Sequence, residues 1–220
     1  MRWILCGLLA LLVGAVPGTA GTLQFQFIGN AAVSITDGRT TLLVDFPYQS
    51  GAMGYMTYDS STVQIQGTVA CLFTHSHRDH FMPELIKDDW VVLGPAQVLR
   101  EVPARQTIPF SKTMQYKDIT IHAIQSAHSN VEHFSYHVSW HGKRIFFTGD
   151  TSSISAAAQQ AGLDVLFIAP WQYRQFAAMG RPLGAQKVVI YHHKIGEKLP
   201  PCEECLVPEQ GEMFEIETFF

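Results

Sequence analysis

Positive charge is thin in this chain and nowhere gathered: 15 Lys and Arg stand against 19 Asp and Glu in 220 residues, a formal net charge of −4. Binding to a nucleic-acid backbone draws on concentrated basic side chains, and with no basic stripe or block no nucleic-acid partner is expected. Low-complexity tracts and solenoid repeats are missing. So is a Gly-x-Ser-x-Gly nucleophile turn, so no serine of that type is offered for covalent chemistry. Cysteine is sparse, at four residues. Cys71 lies in an apolar run and reads as inert core packing. Cys202-Glu203-Glu204-Cys205 suits a small-loop disulfide in an oxidising compartment, with a redox motif as the alternative.

Long hydrophobic runs are absent but for one. Trp3 to Val16 is apolar save for Gly7 and Gly14, follows Arg2, and leads into Pro17-Gly18-Thr19-Ala20. That pattern predicts a signal peptide over 1–20, cleaved after Ala20, and a secreted or periplasmic protein. The run falls short of the roughly 20 residues that span a bilayer, so no stable membrane anchor is expected after cleavage. The remaining 21–220 is sized for a single domain with a substantial core. Loss of Arg2 takes its net charge to about −5. Nothing in the sequence speaks to oligomeric state.

β-prone runs bounded by turn residues dominate what is there. Leu23–Ile28, Ala32–Thr36 and Thr40–Val44 read as strands, the last two joined by a tight turn at Asp37-Gly38. Thr68–Thr74, Trp90–Leu93, Ile119–Gln125, Phe134–Trp140, Ile145–Thr148, Asp164–Ile168 and Lys187–Tyr191 follow as strands. Short helices are expected over Pro83–Asp88, Pro95–Val102 and Ser153–Ala161, the last stopped by Gly162. Gly51–Ser61 reads as a glycine- and tyrosine-rich loop suited to the rim of a site. Hairpins open each half of the chain and helices come after them. This predicts an α+β architecture of face-to-face sheets with helices outside, not a doubly wound parallel sheet.

His75-Ser76-His77-Arg78-Asp79-His80 packs four metal-ligand types into six residues at the end of a buried strand. His75 and His77 share a side in extended backbone, and Asp79 and His80 follow where they can face a second ion. Neutral imidazole with carboxylate suits zinc. Further ligand types stand at later strand ends: His128 after Ile119–Gln125, Asp150 after Ile145–Thr148, and His192-His193 after Lys187–Tyr191. His122, His133, His137 and His141 lack ligand spacing and read as structural or solvent-exposed. Arg174, Lys194 and Lys198 read as solvated surface, with contact to an anionic substrate as the other possibility.

The order His-x-His-x-Asp-His, His, Gly-Asp, His resembles the metallo-β-lactamase superfamily of hydrolases over nearly all of 21–220. The resemblance implies a four-layer αβ/βα sandwich with a di-metal site on one edge, usually zinc, with Mn2+ or Fe2+ possible. By position it assigns His75, His77 and His128 to one ion and Asp79, His80 and His192 to the other, with Asp150 bridging and Asp45 supporting the ligands. Strand alternation through Val188 and Ile190 selects His192; part of the family places this histidine one residue later, which selects His193. The implied chemistry is cleavage of an ester, lactone, amide or phosphodiester bond of a small-molecule substrate, with Asp79 as catalytic residue. Phe27 to Ala32 and Asp164 to Pro170 are similar to the L-ascorbate-6-phosphate lactonase-like branch. The chain departs from it in its signal segment, in Tyr191 where a proline is common, and in His192-His193-Lys194. A zinc β-lactamase and a non-catalytic zinc-binding protein are the alternative readings.

Overall fold

The computed structural model describes residues 20–219, so the predicted signal segment lies outside the described residues except for Ala20. Five strands of the first half, β1 (Ala20–Gly29), β2 (Ala32–Thr36), β3 (Thr40–Val44), β4 (Thr68–Leu72) and β5 (Val91–Leu93), form one sheet. The second sheet holds β6 (Thr113–Tyr116), β7 (Ile119–Gln125), β8 (Phe134–Trp140), β9 (Lys143–Phe147), β10 (Leu163–Ile168), β11 (Ala185–Ile190) and β12 (Cys205–Leu206). The last strand, β13 (Met213–Phe219), crosses back to the first sheet and pairs antiparallel with β1, Ala20 opposite Phe219. Each sheet begins with antiparallel hairpins and continues with parallel strands: β3, β4 and β5 in one, β9, β10, β11 and β12 in the other.

Period-two alternation decides which face each side chain takes. From the first sheet Phe25, Val33, Leu42 and Leu72, and from the second Ile121, Val138, Phe147 and Phe167, meet in a core between the sheets. Their neighbours point the other way. Leu43, Val69, Cys71 and Val92 pack outward on α1 (Ala96–Leu99) and flanking loops, with Val98 and Val102. Leu166, Ile168, Val188 and Ile190 pack outward on α2 (Ser155–Ala158) and α3 (Pro170–Met179), meeting Ala157, Tyr173 and Phe176. Strands covered on both faces are near-continuous apolar runs, which is why β4 and β10 stood out in the sequence. The result is the four-layer sandwich expected. No described helix is long and apolar enough to cross a membrane.

Several boundaries differ from the sequence reading. β4 stops at Leu72, because the Thr74 N–H turns to Asp45 Oδ1 (2.7 Å) instead of continuing the ladder. The helix expected over Pro83–Asp88 is one 3-10 turn, Pro83–Leu85. Those expected over Pro95–Val102 and Ser153–Ala161 shrink to the single turns of α1 and α2. Gly162 is left-handed (φ 62°) but stands beyond the end of α2, whose cap is Gln159. The longest helix, α3, was not anticipated, nor were β6, β12 and β13.

The two ends of the sandwich differ. At one end, between the β2–β3 and β8–β9 turns, His141 Nε2 meets Asp37 Oδ2 at 2.9 Å and its Nδ1 meets Asp118 Oδ2 at 3.3 Å, an ion-pair clasp between the sheets. The opposite end is the one at which the hexad emerges.

Candidate metal centre

All seven residues selected from the sequence converge at that opposite end. The first sheet delivers the hexad after β4; the second delivers His128 after β7, Asp150 after β9 and His192 after β11. Their ligand-type atoms fall into two groups, His75, His77 and His128 in one and Asp79, His80, Asp150 and His192 in the other. In the first, His75 Nε2 lies 3.1 Å from His77 Nδ1, and His128 Nε2 lies 3.2 Å from that same nitrogen. Ligands about 2.0–2.1 Å from a tetrahedral zinc stand about 3.3 Å apart, so these separations match one face of such a tetrahedron. In the second group His80 Nε2 and His192 Nε2 are 3.1 Å apart, and Asp150 Oδ1 is 3.1 and 2.8 Å from them. Asp79 Oδ2 stands 3.6 and 3.9 Å from the same two nitrogens.

Hydrogen bonds on the outer ring nitrogens leave the inner ones with lone pairs, as metal ligation requires. Thr74 Oγ1 gives its hydrogen to Asp45 (2.9 Å to Oδ2), so it accepts from His75 Nδ1 at 3.0 Å. His128 Nδ1 donates to the Asp150 carbonyl (2.9 Å), which can only accept. His80 Nδ1 sits 3.0 Å from Asp45 Oδ2. His75 and His128 therefore turn an unprotonated Nε2 inward. His192 is held differently. Its ring is edge-on to Tyr55 (centroids 4.4 Å) and Trp171 (5.2 Å), and its Nδ1 is buried without a partner.

The residues pass a test of fit for cations. Asp79 Oδ1 is buried with no hydrogen-bond partner, and Asp150 Oδ1 makes none despite its two close nitrogens. Neighbouring imidazole nitrogens face one another at 3.1 Å, a repulsive arrangement of lone pairs unless a proton or a cation lies between. Electrostatics agree. Burial pushes the Asp150 carboxyl up, but His192 and His80 outweigh it and hold it well below the ordinary range. Burial pushes His80 down, yet Asp150 and Asp45 hold it well above. His75 and His128 are both lowered, first by burial, so their rings stay neutral and able to ligate.

His192 and His193 separate cleanly. His193 turns away, donating from Nε2 to the Pro208 carbonyl (3.0 Å) and stacking on Phe27. The alternation argument that selected His192 does not describe what happens, however. Val188 and Ile190 face α3, and β11 ends at Ile190. His192 reaches the centre because its backbone is left-handed (φ 56°) and its N–H is tied to the Asn30 carbonyl at 2.6 Å.

Four supporting residues escaped the sequence reading of the site. His133, read there as structural or exposed, is buried; its Nε2 accepts the Asp150 N–H (2.9 Å) and its Nδ1 donates to Ser126 Oγ (2.8 Å). Burial pushes its pKa down to about 3, so it remains a neutral acceptor. Asn30 donates from Nδ2 to the Asp79 carbonyl (2.7 Å) while its own carbonyl holds His192. Tyr191 is fully buried, and its hydroxyl accepts the Gly149 N–H at 2.8 Å. Thr74 links Asp45 to His75 as described. No signal in the local sequence marks these four, since each acts across the gap between segments. Arg174 is committed to the fold, bonded to Glu197 Oε1 (2.8 Å) and the Lys198 carbonyl (2.9 Å). A cavity of ~640 Å3 beside Tyr173, Phe176, Leu183 and the Cys202–Cys205 disulfide is lined by none of the seven site residues.

With this geometry in view, comparison with known proteins gives one family. The profile of the Beta-lactamase superfamily domain matches residues 24–172, from β1 into α3 and so across six of the seven site residues. The chain belongs to the metallo-β-lactamase superfamily. As a member it is a metal-dependent hydrolase. Solved structures share its fold: a metallo hydrolase, Igni18, from Ignicoccus hospitalis (TM-score 0.64, 15% identity, covering 89% of this chain and 98% of that one); the metallo-beta-lactamase fold protein YhfI from Bacillus subtilis (0.61, 13%, 89% and 99%); and a diphosphatase of the PhnP family (0.60, 12%, 92% and 100%). No curated protein sequence matches the chain. His192 lies beyond the matched segment, so its place in the centre rests on the structure.

Proposed function

We propose that this protein is an exported binuclear hydrolase that cleaves an ester, lactone, amide or phosphodiester bond of a small molecule. His75, His77 and His128 would hold one ion and Asp79, His80 and His192 the other, with Asp150 between them. Five nitrogens and two carboxylates favour zinc over hard, oxygen-seeking ions. When bound, such a pair supplies an activated water at neutral pH and polarises the bond to be cut.

The rest of the work falls to the protein. Asp79 presents Oδ2 toward the second group of ligands while Oδ1 is buried and unpartnered. That free oxygen can take the proton released on attack and return it to the leaving group. Thr74 and the Asp150 carbonyl keep His75 and His128 in the tautomer that ligates, and Asp45 lies 3.0 Å from the outer nitrogen of His80. Asn30 holds the Asp79 and His192 backbones in register across the gap between sheets. The observation that carries the proposal is the pair of ligand clusters brought together from both sheets. Export is supported by the N-terminal segment and by the Cys202–Cys205 disulfide, a bond that persists in oxidising compartments.

The test combines metal analysis of the purified protein with a panel of esters, lactones, phosphodiesters and a β-lactam. The expected result is about two equivalents of zinc and turnover of at least one non-β-lactam class. In Asp79→Asn, kcat should fall by about 10²-fold or more with the thermal midpoint little changed. Unchanged turnover in that variant, or metal-free protein that hydrolyses equally well, removes the proposal.

A further inference from the structure

Five of the seven tyrosines bond their hydroxyls to backbone: Tyr48 to Met56, Tyr58 to Tyr48, Tyr136 to Phe73, Tyr173 to Pro201, and Tyr191 to Gly149. Tyr55 does not, and among the described residues its hydroxyl has no hydrogen-bond partner. It is not remote from the site: its ring is set against His192 at 4.4 Å. A phenol ordinarily titrates at about 10, so across the working pH range it is a donor. Over the outer face of the same ring, 5.3 Å from its centroid, sits the Lys194 ammonium. Lys194 is two residues past His192 and forms no ion pair with any described carboxylate. Glu197, the acid of its own loop, is taken by Arg174 and by the Lys194 backbone N–H (3.0 Å).

We propose that Tyr55 and Lys194 are the substrate-recognition pair of this centre, binding a compact anionic group, phosphate or carboxylate, that the substrate carries beside the bond to be cut. The inference rests on the hydrolase reading above for the identity of the bond and names the class of molecule that bears it. The Tyr55 hydroxyl donates to an anion oxygen and the ammonium supplies the opposing charge. Among the described residues neither the hydroxyl nor the ammonium is held by a hydrogen bond or ion pair, so both can meet an anion. The cation–π seat holds the flexible lysine at the mouth of the site at little cost in entropy. Lys194 and Met56 also line a cavity of ~360 Å3 with Ile195, Val207 and Pro208, which gives the remainder of a larger substrate a place beside the pair.

Two measurements on metal-loaded protein test this. Calorimetric titration with inorganic phosphate should show binding, weakened about tenfold in Lys194→Met and several-fold in Tyr55→Phe, with metal content unchanged in both. Tyr55→Phe keeps the ring against His192 and removes only the hydroxyl. Affinity within about twofold of wild type in both variants, or no phosphate binding by the wild type, overturns the proposal. The second measurement compares para-nitrophenyl acetate with mono-para-nitrophenyl succinate, which share a leaving group and differ by a carboxylate. Lys194→Met should raise KM for the succinate ester about tenfold and leave that for the acetate ester unchanged; equal effects on both would count against the pair. If the wild type turned over neither ester, the hydrolase reading would suffer while phosphate binding would still decide this one.

Discussion

Asn30, Asp45, Ser129 and His192 carry positive φ, four of only seven non-glycine residues in the described chain to do so. All four are at the candidate-site end of the sandwich or next to a candidate ligand. Left-handed backbone costs such residues about 1 kcal/mol or more and persists where surrounding bonds over-determine it. Here those bonds are visible: Asp45 is fixed by Thr74, and His192 by Asn30. The hexad was legible in the sequence because its ligands are contiguous. His133 was not, because its partner, the Asp150 N–H, is 17 residues away and nothing local marks the contact. Replacing His133 with Ala would strip that N–H of its acceptor and open a cavity. A loss of about 2–4 kcal/mol in urea-unfolding stability is expected, together with weaker metal binding; His133→Gln, which can restore an acceptor, should recover part of both. A null result in His133→Ala would mean Asp150 is held by other means.

His80 gives the pH dependence at the same scale. In metal-free protein Asp150 and Asp45 outweigh burial and raise its pKa, so its proton stabilises the fold fully below the ordinary value near 6.5. That stabilisation fades as pH climbs through the raised value. A metal must displace this proton, so affinity should increase with pH, by up to about tenfold per unit below the raised value. Competition with a chromophoric chelator would read this directly, and a flat profile would show that the proton is elsewhere.

At the scale of elements, strands were legible and helices were not. Alternation and apolar runs located ten of the thirteen described strands, because burial imposes its period on the sequence. α1 and α2 are too short to show a period of 3.6, so proline and glycine signals suggested longer helices than exist. α3 has Pro170 at its start and left-handed Gly180 at its end, but its middle, Trp-Gln-Tyr-Arg-Gln-Phe, mixes good helix formers (Gln, Arg) with aromatics of weaker propensity. Packing makes it helical: Tyr173 and Phe176 bury against β10 and β11, and the Gln172 side chain accepts the Ala169 N–H. Gly149 shows how an element end can be decisive. Its φ is 62°, and a Cβ there would lie 2.4 Å from His133 Nε2. Gly149→Ala should therefore destabilise by about 2 kcal/mol or more and displace Asp150. Loss of metal with retained circular dichroism is the expected signature; full zinc occupancy would contradict it.

For the whole molecule, the centre is a cross-link between the two sheets. Asp45 and the hexad belong to the first sheet; His128, Asp150 and His192 belong to the second. Ions bound there favour the folded state by mass action, about 4 kcal/mol per site when free metal exceeds Kd a thousandfold. With two sites, chelation should accordingly lower the melting temperature by roughly 15–30 °C. A midpoint indifferent to chelator would mean that the sheets need no such tie. The apolar core between the sheets contains none of the ligand residues and should keep the chelated protein folded at room temperature.

The pairing of β1 with β13 has its own outcome. Nearly two hundred residues separate the partners Gly21 and Thr218, so the longest strand of the first sheet waits for β13 to be synthesised before its outer ladder can close. Until then a row of bare amide and carbonyl groups is open to any other extended peptide. Chains interrupted before Met213 should therefore clump rather than accumulate as soluble fragments, and a helper that shields this edge would raise the yield of active protein.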